Sequence, residues 1–110
     1  MQMERKAKEL LNNAASFYAS DIHFVPMENY GIIRFRIDGK LYDMEKLSAA
    51  TLMKLISHLK FVSNMDVGEK RRPQNGSLEL TLLKKRYSLR LSTFPSTFHE
   101  TLVIRLLPQE

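Results

Sequence analysis

No cysteine occurs anywhere in the 110 residues. This excludes a disulfide framework and thiolate metal sites and agrees with an intracellular home. Long apolar runs are also missing. None approaches the roughly 20 residues that a membrane span needs. The N-terminus is charged and helical rather than signal-like, which predicts a chain that starts and stays in the cytoplasm. There is no internal repeat or low-complexity segment, and no linker before Pro108. A phosphate-binding P-loop, Gly-x4-Gly-Lys-Ser/Thr, is absent as well. The one Gly-Lys pair, Gly39-Lys40, runs into Leu41 and has Arg34 five residues before the glycine. The chain by itself is therefore not expected to hydrolyse nucleotide. The histidines, His23, His58 and His99, lie far apart in sequence. Asp21-x-His23 puts two potential ligands on one strand face, but surface or edge roles explain them better than a metal site. No serine has a nucleophile-elbow context, and no zinc finger or RNP aromatic pair marks a nucleic-acid module.

A hydrophobic content of 44% supports one domain, spanning residues 1–110, with a real core. The net charge is +5. From Lys60 to Arg90 there are eight Lys/Arg against three Asp/Glu, an excess equal to that of the whole chain. Such a stretch is either a solvated basic face or a surface for phosphate, nucleic acid, acidic protein or anionic lipid.

Periodicity gives the elements. Between Glu4 and Tyr18, residues Ala7, Leu10, Leu11, Ala14, Ala15, Phe17 and Tyr18 form a helical stripe. Ile22–Pro26 reads as a short strand that Pro26 ends or marks as an edge. Asn29-Tyr30-Gly31 reads as a turn. Ile32–Ile37 alternates, with Ile33, Phe35 and Ile37 inward. Asp38-Gly39 signals a two-residue hairpin into Lys40–Met44. Ser48 is an N-cap candidate for a second helix. Its stripe is Leu52, Leu55, Ile56 and Leu59, extended by Phe61 and Val62. Two further strands, Gly76–Leu83 and Arg86–Phe94, are joined by Lys84-Lys85, and a last strand closes the sheet. The order αβββαβββ predicts an α+β domain: a mainly antiparallel sheet with two helices packed on it.

The stretch from Tyr87 to Leu107 is the most informative. Tyr87, Leu89 and Leu91 share one face and Ser88, Arg90 and Ser92 the other. Likewise Leu102, Ile104 and Leu106 oppose Thr101, Val103, Arg105 and Leu107. Arg105 is a permanent charge in an otherwise apolar run. It must reach water, a carboxylate or an anionic ligand. Glu79, Glu100 or solvent could satisfy it and Arg90. For Arg34 and Arg36 the expected partners are Asp38 or Asp43 across the hairpin.

Four segments together resemble a known family. They are Ala19-Ser-Asp-Ile-His23; Arg34-Phe-Arg-Ile-Asp-Gly39; Leu55–Lys60 running into Met65-Asp-Val-Gly-Glu-Lys-Arg-Arg-Pro-Gln-Asn-Gly76; and Leu89–Pro95 with Glu100–Leu107. Their order and spacing are similar to the N-terminal domain of the secretion and type IV pilus assembly ATPases (the GspE/PilB superfamily), nearest to its competence branch. The resemblance implies a RecA-like motor domain beyond a linker starting at Pro108-Gln109-Glu110. It implies ATP and Mg²⁺ in the full-length protein, with neither held tightly by this domain. The implied partners are the motor domain, neighbouring subunits of a hexameric ring on the inner face of the cell membrane, and a membrane platform protein of the pseudopilus system. Sequence-specific nucleic-acid binding is not implied. Arg90 and Arg105 match the family's two arginines that approach the nucleotide phosphates. The alternative is a stand-alone basic module for nucleic acid or anionic membrane.

In the Glu69–Gly76 loop, Pro73 restricts Arg72 to extended geometry and Asn75-Gly76 supplies a turn signal. Glu69, Arg71, Arg72 and Gln74 there are either part of a solvated turn or contacts to the motor domain. The family usually has Asp at position 75, Arg at 58 and 77, and Gly at 99. This chain has Asn75, His58, Ser77 and His99.

Overall fold

The computed structural model describes residues 2–109. Helix α1 (Gln2–Ser16) precedes strands β1 (Asp21–Pro26), β2 (Tyr30–Ile37) and β3 (Lys40–Ser48). Helix α2 (Ala49–Val62) leads into β4 (Gln74–Leu82), β5 (Lys85–Pro95) and β6 (Glu100–Pro108). The expected αβββαβββ order is the one observed. The six strands form one sheet in the order β3-β2-β1-β6-β5-β4, antiparallel at every pairing. Strand β1 is therefore central, and Pro26 ends it rather than marking an edge.

One face of the sheet carries the core. Ile22, Phe24, Ile33, Phe35, Leu89, Leu91, Leu102 and Ile104 are all buried, at the period-2 spacing of half-buried strands. The helices close over this face. Helix α1 contributes Ala7, Leu10, Leu11, Ala14 and Ala15; α2 contributes Leu52, Leu55, Ile56 and Leu59. Ser48 caps α2 as expected, its hydroxyl accepting from Thr51 N at 3.1 Å.

The stripes stop short of where periodicity extends them. Phe17 is half exposed and Tyr18 is 84% exposed. Tyr18 turns left-handed (φ 55°), and Ala19 N donates to Ala14 O at 2.9 Å. This is a Schellman ending, and it lifts the chain off the core. Helix α2 ends the same way. Asn64 is left-handed (φ 63°), Met65 N donates to Lys60 O, and Phe61 points to solvent. The residue that continues the α2 stripe is Lys60, wholly buried.

Two glycines bring α2 close to the sheet. A Cβ at Gly31 would meet the Leu52 side chain at 2.6 Å, and one at Gly76 would meet Ser63 O at 2.7 Å. Helix α2 thus starts against β2 and ends against β4. Both glycines lie within strands: of the expected turn Asn29-Tyr30-Gly31, Asn29 lies in the β1–β2 connection while Tyr30 and Gly31 open β2, and Asn75-Gly76 is not a turn. The turn at Asp38-Gly39 has positive φ at both residues, as a type I′ hairpin requires. The β4–β5 turn is Leu83-Lys84 (φ 49° and 68°), one residue before the expected Lys84-Lys85. Wholly buried Leu82 sets this register, because a one-residue slip would turn it out of the core. Of the tail expected to open a linker, Pro108 is still strand and Gln109 N donates to Arg86 O at 2.9 Å. Glu110 lies outside the described residues.

Candidate functional site on the open sheet face

The face opposite the helices carries the polar half of each alternation. Strand register arranges it in rows. One row runs Arg36, Asp21, Arg105, Arg90, Ser77 across β2, β1, β6, β5 and β4, each residue being the direct cross-strand partner of the next. The next row runs Asp43, Arg34, His23, Val103, Ser92, Asn75. Over β4, β5 and β6 this face forms an open concavity of about 820 Å³, lined by Ser77, Glu79, Arg90, Ser92, Val103 and Arg105 among others.

Arg90 and Arg105, expected to converge, are thus immediate cross-strand partners. Like charges directly opposite each other repel. Arg105 reaches solvent and a carboxylate, as expected, but the carboxylate is Asp21 rather than Glu79 or Glu100. Its side chain is 67% exposed, and its Nε lies 3.5 Å from Asp21 Oδ1. Glu100 is engaged elsewhere, and Glu79 lies 3.9 Å from Arg86. Arg90 is exposed and makes no ion pair among the described residues. Arg34 binds Asp43 at 2.6 Å, as expected. Arg36 instead donates to Asp21 Oδ2 (3.2 Å) and Gly39 O (3.0 Å), and Asp38 takes no part.

Asp21 and His23 share this face. Among the described residues, no group of three or more His, Cys, Asp or Glu side chains is placed to hold a metal. His23 Nε2 is buried with no hydrogen-bond partner. Burial lowers the imidazole pKa below its ordinary value. Arg36 and Arg34 push it the same way, and Asp21 opposes them.

The loop between α2 and β4 is internally stapled. Gln74 accepts from Asp66 N (2.8 Å) and donates to Asp66 O and Glu69 O. The Glu69 carboxylate accepts from Arg71 N at 2.7 Å. The Gln74 amide is used inside the loop, while Arg71 and Arg72 are exposed. Beneath it lies an ion pair that periodicity does not assign. Lys60 Nζ donates to Glu100 Oε1 and Glu69 O, each at 2.8 Å, and Val67 O lies at 3.4 Å. The sequence signal for Lys60 is its spacing, four residues after Ile56 on the apolar stripe. Its burial also removes one cation from the basic stretch between residues 60 and 90. Just before Glu100, His99 adopts φ 76°, and the turn holds through Ser96 N to His99 O at 2.9 Å.

Chemically, the concavity offers two guanidinium groups, the Ser77, Ser88 and Ser92 hydroxyls and the Asn75 amide, with one carboxylate, Glu79, in its lining 3.9 Å from Arg86. This donor set fits an oxyanion such as a phosphate. It does not fit Mg²⁺, which wants several oxygen ligands: Glu79 is the one carboxylate of the lining and lies beside Arg86, and Asp21 in the adjoining row already serves two arginines. No helix among the described residues is long and apolar enough to cross a membrane.

The family model described as "Type II/IV secretion system protein" matches residues 1–110. The chain is 47% identical over 107 residues to Competence protein ComGA of Bacillus subtilis (strain 168), covering 97% of this chain and 30% of that one. It is 37% identical to Type II secretion system protein HxcR of Pseudomonas aeruginosa, covering 96% of this chain and 23% of that one. The fold resembles the X-ray structure of the Legionella pneumophila ATPase DotB. The TM-score is 0.51 at 20% identity, over 91% of this chain and 27% of that chain. The chain spans less than a third of the length of these curated relatives.

Proposed function

This chain belongs to the type II/IV secretion system protein family, and from that premise we propose that it is the non-catalytic N-terminal domain of an assembly ATPase that senses nucleotide for a motor domain. Arg90 and Arg105 meet the phosphates of an ATP held by that motor domain, in the same or a neighbouring subunit of a hexameric ring. The supporting observation is their direct pairing on the open face, above a concavity with no carboxylate committed to Arg90. A phosphate presents several oxygens to a rigid guanidinium fork. Hydrolysis and release of the terminal phosphate remove that partner, so the contact reports nucleotide state and couples it to domain motion. ATP with Mg²⁺ supplies the phosphoryl chemistry in the full-length protein; this domain supplies cationic donors and orientation. Glu69, Arg71, Arg72 and Gln74 form the loop that meets the motor domain, through the exposed Arg71 and Arg72 and a backbone held by Glu69 and Gln74.

The 47% identity to a competence protein favours a role in DNA uptake. In this reading the ring sits at the cytoplasmic face of the membrane, against a platform protein, and drives pseudopilus assembly. The test is ATP turnover by full-length protein. Arg90→Ala or Arg105→Ala should slow it by about a thousandfold or more, as removal of a trans-acting arginine does elsewhere, with thermal stability little changed. Normal turnover in both variants would sink the assignment.

A further inference from the structure

The open face contains a charge arrangement that the two phosphate-facing arginines do not by themselves explain. Asp21 is nearly buried, 8% exposed, although it lies on the uncovered face of the sheet. Strand pairing gives it Arg36 as partner on one side and Arg105 on the other. Each carboxylate oxygen receives one arginine: Oδ2 from Arg36 Nε at 3.2 Å and Oδ1 from Arg105 Nε at 3.5 Å. Both bonds use Nε, so the terminal nitrogens of each guanidinium remain for other partners. Arg36 spends one on Gly39 O at the hairpin, 3.0 Å away. Those of Arg105 make no hydrogen bond among the described residues.

The two sides of Asp21 are therefore unequal. Arg36 is tied at both ends, to the carboxylate and to the β2–β3 turn, so it holds the carboxylate in place. Arg105 is tied at Nε alone. Its terminal fork is free, and its other neighbour in the row is the cation Arg90. Two guanidiniums side by side repel. Without a counter-charge an exposed arginine would sample solvent away from its neighbour. With Asp21 behind it, Arg105 can stay beside Arg90, which keeps two forks aimed at one anion. Holding a group close to its working geometry before the ligand arrives gains rate, because a small misplacement of a reacting or binding group is costly.

We infer that Asp21 is a positioning residue for the phosphate-facing pair: held by Arg36, it fixes Arg105 by Nε beside Arg90 and leaves the terminal guanidinium nitrogens for the nucleotide. This rests on the proposed role of Arg90 and Arg105.

The test is a mutant cycle in full-length protein, with Mg-ATP turnover and thermal melting measured on each variant. Asp21→Asn keeps size and an acceptor oxygen but loses the charge. It should lower kcat by about three- to tenfold with a smaller change in KM, because misplacing a positioned group costs rate. Combined with Arg105→Ala, it should slow turnover no further than Arg105→Ala alone. Added to Arg36→Ala, which already loosens the carboxylate, it should lower the rate by a smaller factor than it does alone. A merely structural Asp21 would not depend on background in this way. If Asp21→Asn turns over normally while Arg105→Ala is slow, or if the two effects multiply, the inference is overturned and the reading of the arginines stands. If Arg105→Ala itself turns over normally, Arg105 does not meet the phosphates, and this inference is overturned whatever Arg90→Ala does. Should Asp21→Asn melt early, Asp21→Glu restores the charge on a longer side chain. Partial recovery of kcat relative to Asp21→Asn supports the inference, and none at restored melting temperature overturns it.

Discussion

Strand β6 carries two charged side chains five positions apart in opposite circumstances. Glu100, at its start, is 4% exposed, and its partner Lys60 is wholly buried. Lys60 is bonded to the Glu100 carboxylate and also to a backbone carbonyl of the loop before β4. Arg105, mid-strand, lies on the open face, with its side chain two-thirds exposed, one long contact to Asp21 and a like charge opposite. The difference separates two uses of charge. A buried ion whose bonds are all filled by its own chain holds elements together; here they are α2, the loop and β6. An exposed ion with spare donors contributes little to folding and remains available to a ligand.

The strongest way to break this comparison is to remove the buried partner. Lys60→Met leaves Glu100 charged in the interior and should destabilise the chain by about 3–5 kcal/mol. Replacing both ends, Lys60→Met with Glu100→Leu, should recover much of that, because no uncompensated charge remains. Urea denaturation of the single and double variants checks both. A loss under about 1 kcal/mol in the single variant would place Lys60 among ordinary surface lysines.

Next in size is the residue beside the buried glutamate. His99 holds a left-handed conformation (φ 76°) in the turn that delivers Glu100 to Lys60. That region costs a side-chain-bearing residue about 1–2 kcal/mol. A glycine there avoids this strain but loses roughly 0.5–1 kcal/mol to the greater freedom of the unfolded chain. His99→Gly should therefore stabilise the protein by up to about 1 kcal/mol, seen as a higher denaturation midpoint with unchanged slope. A destabilisation would mean that the histidine side chain holds the turn.

The exposed pair should respond weakly, and with opposite signs. Arg90→Ala relieves repulsion, whereas Arg105→Ala leaves Asp21 with one partner. Both changes should stay within about 0.5 kcal/mol, the range of ordinary surface substitutions. At 1 M salt, where screening acts within about 3 Å, the difference between them should vanish. A salt-independent loss of more than 1 kcal/mol in either variant would show that the open face is structural and erase the contrast with Glu100.

Local pattern made much of this legible. Period-2 alternation with one buried face reveals strands, so the inward sets around Phe35, Leu89 and Ile104 and the outward placement of Arg90 and Arg105 follow from sequence. Asp38-Gly39 and Ser48 announce a turn and a cap because their chemistry is local. What was hidden depended on distance or on tertiary override. Asp21 meets Arg105 across 84 positions, and only the β1–β6 pairing brings them together. Lys60 reads as part of a basic run because nothing near it in sequence reveals Glu100. Leu83-Lys84 lacks the Gly or Asn that usually marks positive φ, and the turn falls there because Leu82 must stay inside. Asn75-Gly76 reads as a turn, yet the glycine is there to admit the end of α2, a close approach that leaves no periodic signal.

The smallest expected effect tests how far burial reaches into the open face. His23 faces Asp21, Arg34 and Arg36, with Val103 beside it on β6. Its pKa is lowered chiefly by burial, then by the two arginines, against the pull of Asp21. A histidine with a depressed folded pKa contributes nothing while it is neutral in both states. As pH falls through its ordinary value near 6.5, the unfolded chain takes up the proton first and stability is lost. His23→Gln should remove that part of the acid slope and leave stability near pH 8 little changed. Denaturation midpoints at pH 8 and at pH 5.5 for both proteins measure it. An identical acid slope in the two would mean that His23 is protonated as readily folded as unfolded. In that case the row of His23 belongs wholly with the solvated, ligand-ready side of the comparison, and burial acts only on the side of Lys60 and Glu100.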